Sequence, residues 1–316
     1  MRLSIVVCAY NEEKSIGSLI ENLMRQWVPP EITSSEIIVV TSGCTDRTAE
    51  IVKRCMTGNA KIRLIEEAKR LGKASALNKA FAASTGDYIA LVPADVFPAD
   101  NALLSLLVPF RNRNVSAVSG RPMQNPRNAP KGFMGYLANM TYRLWGRLME
   151  KLNDSGQAAH CSGEFMAIRS DVRTIIPDGC AADDSYIAIV AKRKGLIEFA
   201  PKAVGYNLLP SNLRDYVNQR RRWLYGHFQT KKFTGEYPTV LDTMVLSRPS
   251  VVVQVLAEEI IERPREIAYL MSAVVVEAVI YMLSMLDRVF CRQYGVWPVI
   301  RSTKYVEAQP ICEELQ

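Results

Sequence analysis

Short β-rich apolar runs alternate with helical patterns through the first hundred residues, and that alternation leaves few folds open to the chain. Residues 3–9 form an apolar run that ends in Tyr10-Asn11-Glu12-Glu13, followed by a helical pattern through Met24. Residues 36–40 lead into the loop Thr41-Ser42-Gly43-Cys44-Thr45-Asp46 and a helix carrying Ala49, Ile51 and Val52. A third strand is predicted near residues 61–65, residues 72–78 open another helix, and residues 88–92 read as a buried strand running into Pro93-Ala94-Asp95. Strand and helix in this order predict an α/β domain with a largely parallel sheet and helices on both faces. Ligands of such sheets bind beyond the carboxyl ends of the strands. Tyr10, Asn11, Glu12, residues 42–46 and Asp95 are therefore expected to converge on one edge.

Several of these residues carry two readings. Ser42 and Asp46 precede a helical run and serve equally as caps or as ligand contacts. Asp95, at the end of a buried strand, suits a divalent cation bridging two phosphates, against the simpler role of a turn aspartate. Further on, Asp183-Asp184 precede a helix predicted over residues 185–194, which Asp183 is expected to cap. Then comes Gln219-Arg220-Arg221-Arg222-Trp223. Guanidinium forks match a diphosphate, and an indole offers a flat face to a sugar ring. Moving a sugar from a nucleotide needs these parts: charge to neutralise the leaving diphosphate, and one carboxylate to take the proton of the attacking hydroxyl. A second, nucleophilic carboxylate is not required, unlike in retaining glycosidases.

In this order the motifs resemble the family 2 inverting glycosyltransferases of GT-A fold, in particular the membrane-associated cellulose synthase-like branch. The resemblance rests on Ala9-Tyr10-Asn11-Glu12, Gly43-Cys44-Thr45-Asp46, Gly72-Lys73-Ala74-Ser75-Ala76-Leu77-Asn78, Ala94-Asp95 and Gln219-Arg220-Arg221-Arg222-Trp223, with Ala182-Asp183-Asp184 where the family has Thr-Glu-Asp. It implies a catalytic domain over residues 1–225. It further implies that Ala9, Tyr10, Glu12, Ser42, Lys73 and Arg222 bind the donor, that Asp95 holds Mn2+ or Mg2+ against the diphosphate, and that Asp184 is the general base. Gln219, Trp223 and Asp183 would face the acceptor. Two positions depart from the pattern: Thr41-Ser42 lacks a carboxylate that commonly contacts the base, and Pro93-Ala94-Asp95 keeps one carboxylate of Asp-x-Asp. The first departure favours guanosine over uridine, so GDP-mannose precedes a UDP-hexose as the donor to test.

A formal charge of +7 and a pI near 9.0 favour anionic partners. The basic residues lack the interleaved aromatics of a nucleic-acid binder, and no G-x-G-x-x-G follows the first strand as in a nicotinamide enzyme. Seven scattered cysteines without a C-x-x-C pair argue against a zinc site or a disulfide framework and predict a reducing compartment. The first strand starts at once, with no signal peptide before it, so the catalytic part is expected on the cytoplasmic side. His160 and His227 read as structural or acceptor-side groups, Trp145 as a packing residue, and Gly163 either as a point of close ligand approach or as a bend before residues 166–169.

Residues 226–316 form the second region. Pro238 and Pro249 punctuate a stretch without clear periodicity, and residues 267–286 are apolar except for Glu277. The length fits a membrane span. The polar stripe Glu277, Tyr281, Ser284 and Arg288 suits equally a helix lying on the membrane or against the catalytic domain. Arg220, Arg221, Lys231 and Lys232 could meet lipid phosphates or form a solvated face. The tail Glu313-Glu314-Leu315-Gln316 reads as frayed. Two functions follow: a metal-dependent glycosyltransferase with a lipid-linked or glycan acceptor, or a non-catalytic nucleotide or polyanion binding module on the same scaffold.

Overall fold

A computed structural model describes residues 1–304 apart from 159, 291, 293 and 298. Cys291, Cys312 and the tail at residues 313–316 lie outside the described residues. The elements run β1 Arg2–Ala9, α1 Ile16–Arg25, β2 Ser34–Ser42, α2 Thr48–Met56, β3 Ile62–Glu67, α3 Lys73–Ala83, β4 Tyr88–Leu91, β5 Val96–Pro98 and α4 Ala102–Leu107. There follow β6 Val115–Gln124, α5 Gly132–Asp154, β7 Met166–Arg169, α6 Asp183–Lys192, β8 Leu196–Asn207 and α7 Leu213–Thr234. Four helices follow among the described residues: α8 Leu241–Ser247, α9 Pro249–Glu262, α10 Ile267–Val289 and the short α11 Arg301–Lys304.

The strands form one sheet in the order β3-β2-β1-β4-β7-β6-β8-β5. Its first half, β3 to β4, is parallel as the alternating pattern predicts. The second half differs. β7 pairs antiparallel with both β4 and β6, and β5 pairs antiparallel with β8, so the sheet is mixed rather than largely parallel. Burial explains the long apolar runs: Val6, Val7, Ile38, Val39 and Ile89 are covered by helices on both faces and are at most 1% exposed. Ser42, expected in a loop, is the last residue of β2.

The stretch that lacks periodicity around Pro238 and Pro249 is helical. Pro249 stands in the first turn of α9, where its missing N–H costs nothing. Ion pairs dock this region onto the catalytic body. Arg143 on α5 grips Glu259 on α9 at 2.6 Å, Arg147 reaches Glu262 at 2.6 Å, and Lys151 reaches Glu258 at 2.6 Å. The segment Pro264–Val289, which contains α10, is long and apolar enough to cross a membrane. Its polar stripe faces protein: Glu277 pairs with Arg220 on α7 at 3.0 Å, Tyr281 meets Phe228 edge-on, Ser284 is buried, and the Arg288 guanidinium lies 4.5 Å from the Phe228 ring centre.

Candidate active site

The loops after β1 and β2 are stitched into one surface. Asn11, at φ 53°, occupies the left-handed region that asparagine tolerates, and its side chain accepts from the Thr45 N–H at 2.9 Å. The Glu12 N–H donates to Thr48 Oγ1 at 2.8 Å and the Glu13 N–H to Asp46 Oδ2 at 3.1 Å. Asp46 also accepts from the Thr48 N–H at 3.0 Å, so it caps α2 as the first of its two readings has it. Cys44 donates to the Ala9 carbonyl at 3.7 Å. These contacts hold Tyr10 and Glu12 at the edge of the sheet, where the Arg70 guanidinium stacks 3.8 Å from the Tyr10 ring centre. Ser42 donates a short bond to Glu67, which also receives Ser75 at 2.7 Å and Lys79 at 3.0 Å.

Beyond this edge lies a cavity of about 520 Å³. The structure brings together in its wall all eleven residues singled out from sequence: Ala9, Tyr10, Glu12, Ser42, Lys73, Asp95, Asp183, Asp184, Gln219, Arg222 and Trp223. Lys73 opens α3 and pairs with Asp183 at 2.9 Å. Burial disfavours the lysine charge, but Asp183 and Asp184 outweigh it and raise its pKa. Asp183 therefore does not cap α6 by a hydrogen bond; it sits in the helix's first turn and balances Lys73. Arg222 makes no ion pair among the described residues, and its buried Nε has no partner. Burial lowers its pKa to about 10 against the pull of Asp183, Asp184, Asp95 and Glu164, so it stays charged at neutral pH. Its guanidinium stacks 3.7 Å from the Trp297 ring centre.

Asp184 is held from two sides. Its Oδ2 accepts from the Gly163 N–H at 3.0 Å and its Oδ1 from the Ser185 N–H at 2.7 Å. Burial opposes its charge, but His160 when protonated, then Lys73 and His227, with the Ser185 N–H, keep its pKa below the ordinary aspartate value. It is thus ionised at neutral pH. The close approach that glycine permits at 163 is by this carboxylate: a Cβ there would lie 2.9 Å from Asp184 Oδ2 and Cβ. Gly163→Ala is accordingly expected to push Asp184 from its seat and to lower turnover at least tenfold with nucleotide affinity kept. Steady-state assays of transfer beside nucleotide titrations check this.

Sequence reasoning missed several neighbours that the fold supplies. Glu164 accepts from Tyr142 and, at 3.1 Å, from Ser162; burial pushes it up to about 7. His160 is buried, its Nδ1 without a partner, and burial pulls it down to about 4, so it is neutral at pH 7. His227 Nδ1 lies 3.2 Å from Asp242, and both line the cavity. Arg70 and Trp297 also line it, joined by a 2.6 Å bond from the guanidinium to the Trp297 carbonyl. The sequence signals for these were the close-approach reading of Gly163, next to Glu164, and the reading of His160 and His227 as structural or acceptor-side groups. Trp145 packs edge-on to Phe199 and also reaches the cavity. Two expectations fail: Arg220 is buried between Glu277 and Asp242, and Arg221 is paired with Asp287 at 2.5 Å, so neither is available to a lipid phosphate.

The residues fit a divalent cation held largely by a diphosphate. Among the described residues Asp95 makes no hydrogen bond or ion pair with another side chain, and burial raises its pKa against Lys73 and Arg222, a cost that a cation would offset. Among the described residues no three His, Cys, Asp or Glu side chains gather into a metal site of their own.

The mixed eight-stranded sheet flanked by helices, with a carboxylate-lined cavity at its edge, has a GT-A-like architecture. The chain belongs to glycosyl transferase family 2, whose model matches residues 4–175. It is 24% identical over 230 residues to the poly-beta-1,6-N-acetyl-D-glucosamine synthase of Staphylococcus aureus (strain COL), a match covering 71% of this chain and 54% of that protein. The chain thus spans about half the length of the curated relatives it matches. Among solved structures it is similar to the mannosyltransferase PcManGT from Pyrobaculum calidifontis in complex with GDP-Man and Mn2+, with a TM-score of 0.63 and 21% identity over 92% of this chain and 87% of that one. The glucosyl-3-phosphoglycerate synthase of Mycobacterium tuberculosis in complex with Mn2+ and UDP has a TM-score of 0.50 and 20% identity over 75% of this chain and 81% of that one.

Proposed function

We propose that the chain is a metal-dependent, inverting glycosyltransferase that moves a sugar from a nucleotide-diphospho-sugar to a lipid-linked or glycan acceptor at a membrane. The observation that carries this reading is the meeting, in one cavity wall, of the side-chain-unpaired Asp95, the uncommitted cation Arg222 and the ionised Asp184. Tyr10, Glu12, Ser42 and the Ala9 backbone form the nucleoside side, and Lys73 and Arg222 the diphosphate side. Asp95 would hold Mn2+ or Mg2+, which when bound neutralises charge on the leaving diphosphate. Asp184 takes the proton of the acceptor hydroxyl as that oxygen attacks the anomeric carbon, and Arg222 and Lys73 stabilise the departing nucleotide. Gln219 and Trp223 line the acceptor side, with Asp183 behind them as the counter-ion of Lys73.

Residues 1–225 form the catalytic part in this reading and residues 226–316 the membrane-associated part. Exposed Val253, Ile261, Met271, Val275 and Val289 on α9 and α10 support the membrane contact, and nucleotide sugars would reach the cleft from the cytoplasm. GDP-mannose is the first donor to test, on the grounds of Ser42 and of the ligand bound in the Pyrobaculum calidifontis relative. GDP and UDP, each with and without Mn2+, distinguish the possibilities by thermal stabilisation of the purified full chain. A ligand at a hundred times its Kd adds about 2.7 kcal/mol. Metal-dependent stabilisation by one nucleotide is expected; none with either would leave a binding module without donor chemistry.

A further inference from the structure

The cavity does not end at the acceptor side of Asp184. It continues between α8, α9 and α10, where Val245, Val252, Leu256, Leu270 and Val274 line it and the neighbouring polar groups, Asp242 and Glu277, are already paired with Arg220. Val245 and Val274 line the cavity and are also 51% and 50% exposed, so this arm opens to the outside there. The surface around the mouth is apolar as well, with Met271 and Val275 on α10 exposed by 62% and 64%. The arm's walls are fixed by charge: α9 is clamped to α5 through Glu259, whose side chain is 1% exposed, and α10 to α7 through Glu277.

We propose that this aliphatic arm binds the hydrocarbon chain of a lipid-linked acceptor, which enters from the exposed apolar face of α9 and α10 and brings its hydroxyl-bearing head to Asp184. The proposal rests on the donor and base assignments above and narrows the acceptor to an amphiphile. Chemistry separates this occupant from a growing glycan. A sugar chain carries several hydroxyls on each ring, and against the aliphatic side chains of this arm those groups would lose their water without gaining hydrogen bonds. A hydrocarbon chain loses nothing there and gains about fourfold in affinity for each methylene buried. The continuity of the arm with both the reacting centre and an apolar outer surface fits a molecule that is polar at one end only.

The test uses the full chain kept soluble by an amphipathic polymer, titrated with 9,10-dibromostearate below its micelle-forming concentration. Bromine quenches indole fluorescence at contact, and Trp145 and Trp223 both line the cavity. Saturable quenching is expected, displaced by dodecyl β-D-glucoside at least a hundredfold more effectively than by methyl β-D-glucoside. Leu256→Phe and Val274→Phe, which fill the arm, should each weaken the quenching at least tenfold. Ile175→Phe, on an exposed residue that lines neither the cavity nor the faces of α9 and α10, should leave it unchanged. Equal displacement by the two glucosides, or equal effects of Val274→Phe and Ile175→Phe, would overturn the proposal. Should a filled variant fail to fold, the comparison of the two glucosides on the unaltered chain decides alone. Nucleotide stabilisation with Mn2+, measured in parallel, separates the two levels of the argument. Stabilisation without saturable quenching removes the lipid arm and spares the donor site. Quenching without stabilisation removes the donor reading and leaves the arm.

Discussion

Asp184→Asn should lower sugar transfer by about 10²- to 10⁴-fold, the contribution of a positioned general base, while leaving nucleotide affinity within a factor of two. Asparagine retains one side-chain oxygen for the Gly163 or Ser185 N–H and loses the other, a change of about 1 kcal/mol that the fold tolerates. What it cannot do is take a proton. The pair of measurements is therefore diagnostic: turnover collapses while metal-dependent thermal stabilisation by the nucleotide persists. Unchanged turnover would move the base elsewhere, and Glu164, in the same cavity wall, would be the first alternative. The pH profile adds a second reading. Because the Asp184 pKa is held below the ordinary aspartate value, transfer should not fall on the acid side until the pH drops below that value.

Of the parallel half, β1, β2 and β4 were legible because they are largely buried and carry apolar runs, while β3, at the sheet edge, is half exposed and carries Arg63, Glu66 and Glu67. The remaining half was less so. β6 carries Gly120 and Pro122, and β8 carries Pro201 and Gly205, residues that ordinarily mark turns; both strands survive through register shifts in their mutual pairing. α9 was hidden for the opposite reason. Its Val251-Val252-Val253 run favours strand, and the helix is held by Arg143, Arg147 and Lys151 on α5, far away in sequence. Motif residues were easiest to place where they stand at a strand end or helix start, as Tyr10, Lys73, Asp183 and Asp184 do, whereas Gln219, Arg222 and Trp223 stand inside α7. Trp297, Arg70 and the two histidines belong to no local pattern. They reach the cavity through tertiary packing, as when Trp297 returns from the end of the chain to cover Arg222. Nor could sequence separate the arginines of one run: Arg220 and Arg222 both line the cavity, but Arg220 and Arg221 are paired with Glu277 and Asp287 on α10, while Arg222 makes no ion pair among the described residues.

That division of labour makes Arg220→Met the substitution with the largest expected effect on stability. Arg220 is 6% exposed and donates to Glu277 through Nε and Nη2, with Nη2 also 3.2 Å from Asp242. Removing it leaves two carboxylates facing each other in a largely dry space, and breaking such a pair costs about 3–5 kcal/mol. Glu277→Gln removes one of those carboxylates and should cost less. In the double variant the two losses should fall short of their sum by about 0.5–3 kcal/mol, the signature of direct coupling. Chemical denaturation of the four proteins in one detergent gives the cycle. The outcome also reports on function, because Asp242 lies 3.2 Å from His227 and both line the cavity, so Arg220→Met should reduce transfer as well as stability. Additive effects would mean that α10 leaves α7 in the working protein, as a helix crossing the bilayer apart from the catalytic body would. Strong coupling would mean instead that the apolar helix is part of the active-site wall, with one face against α7 and the other turned to lipid.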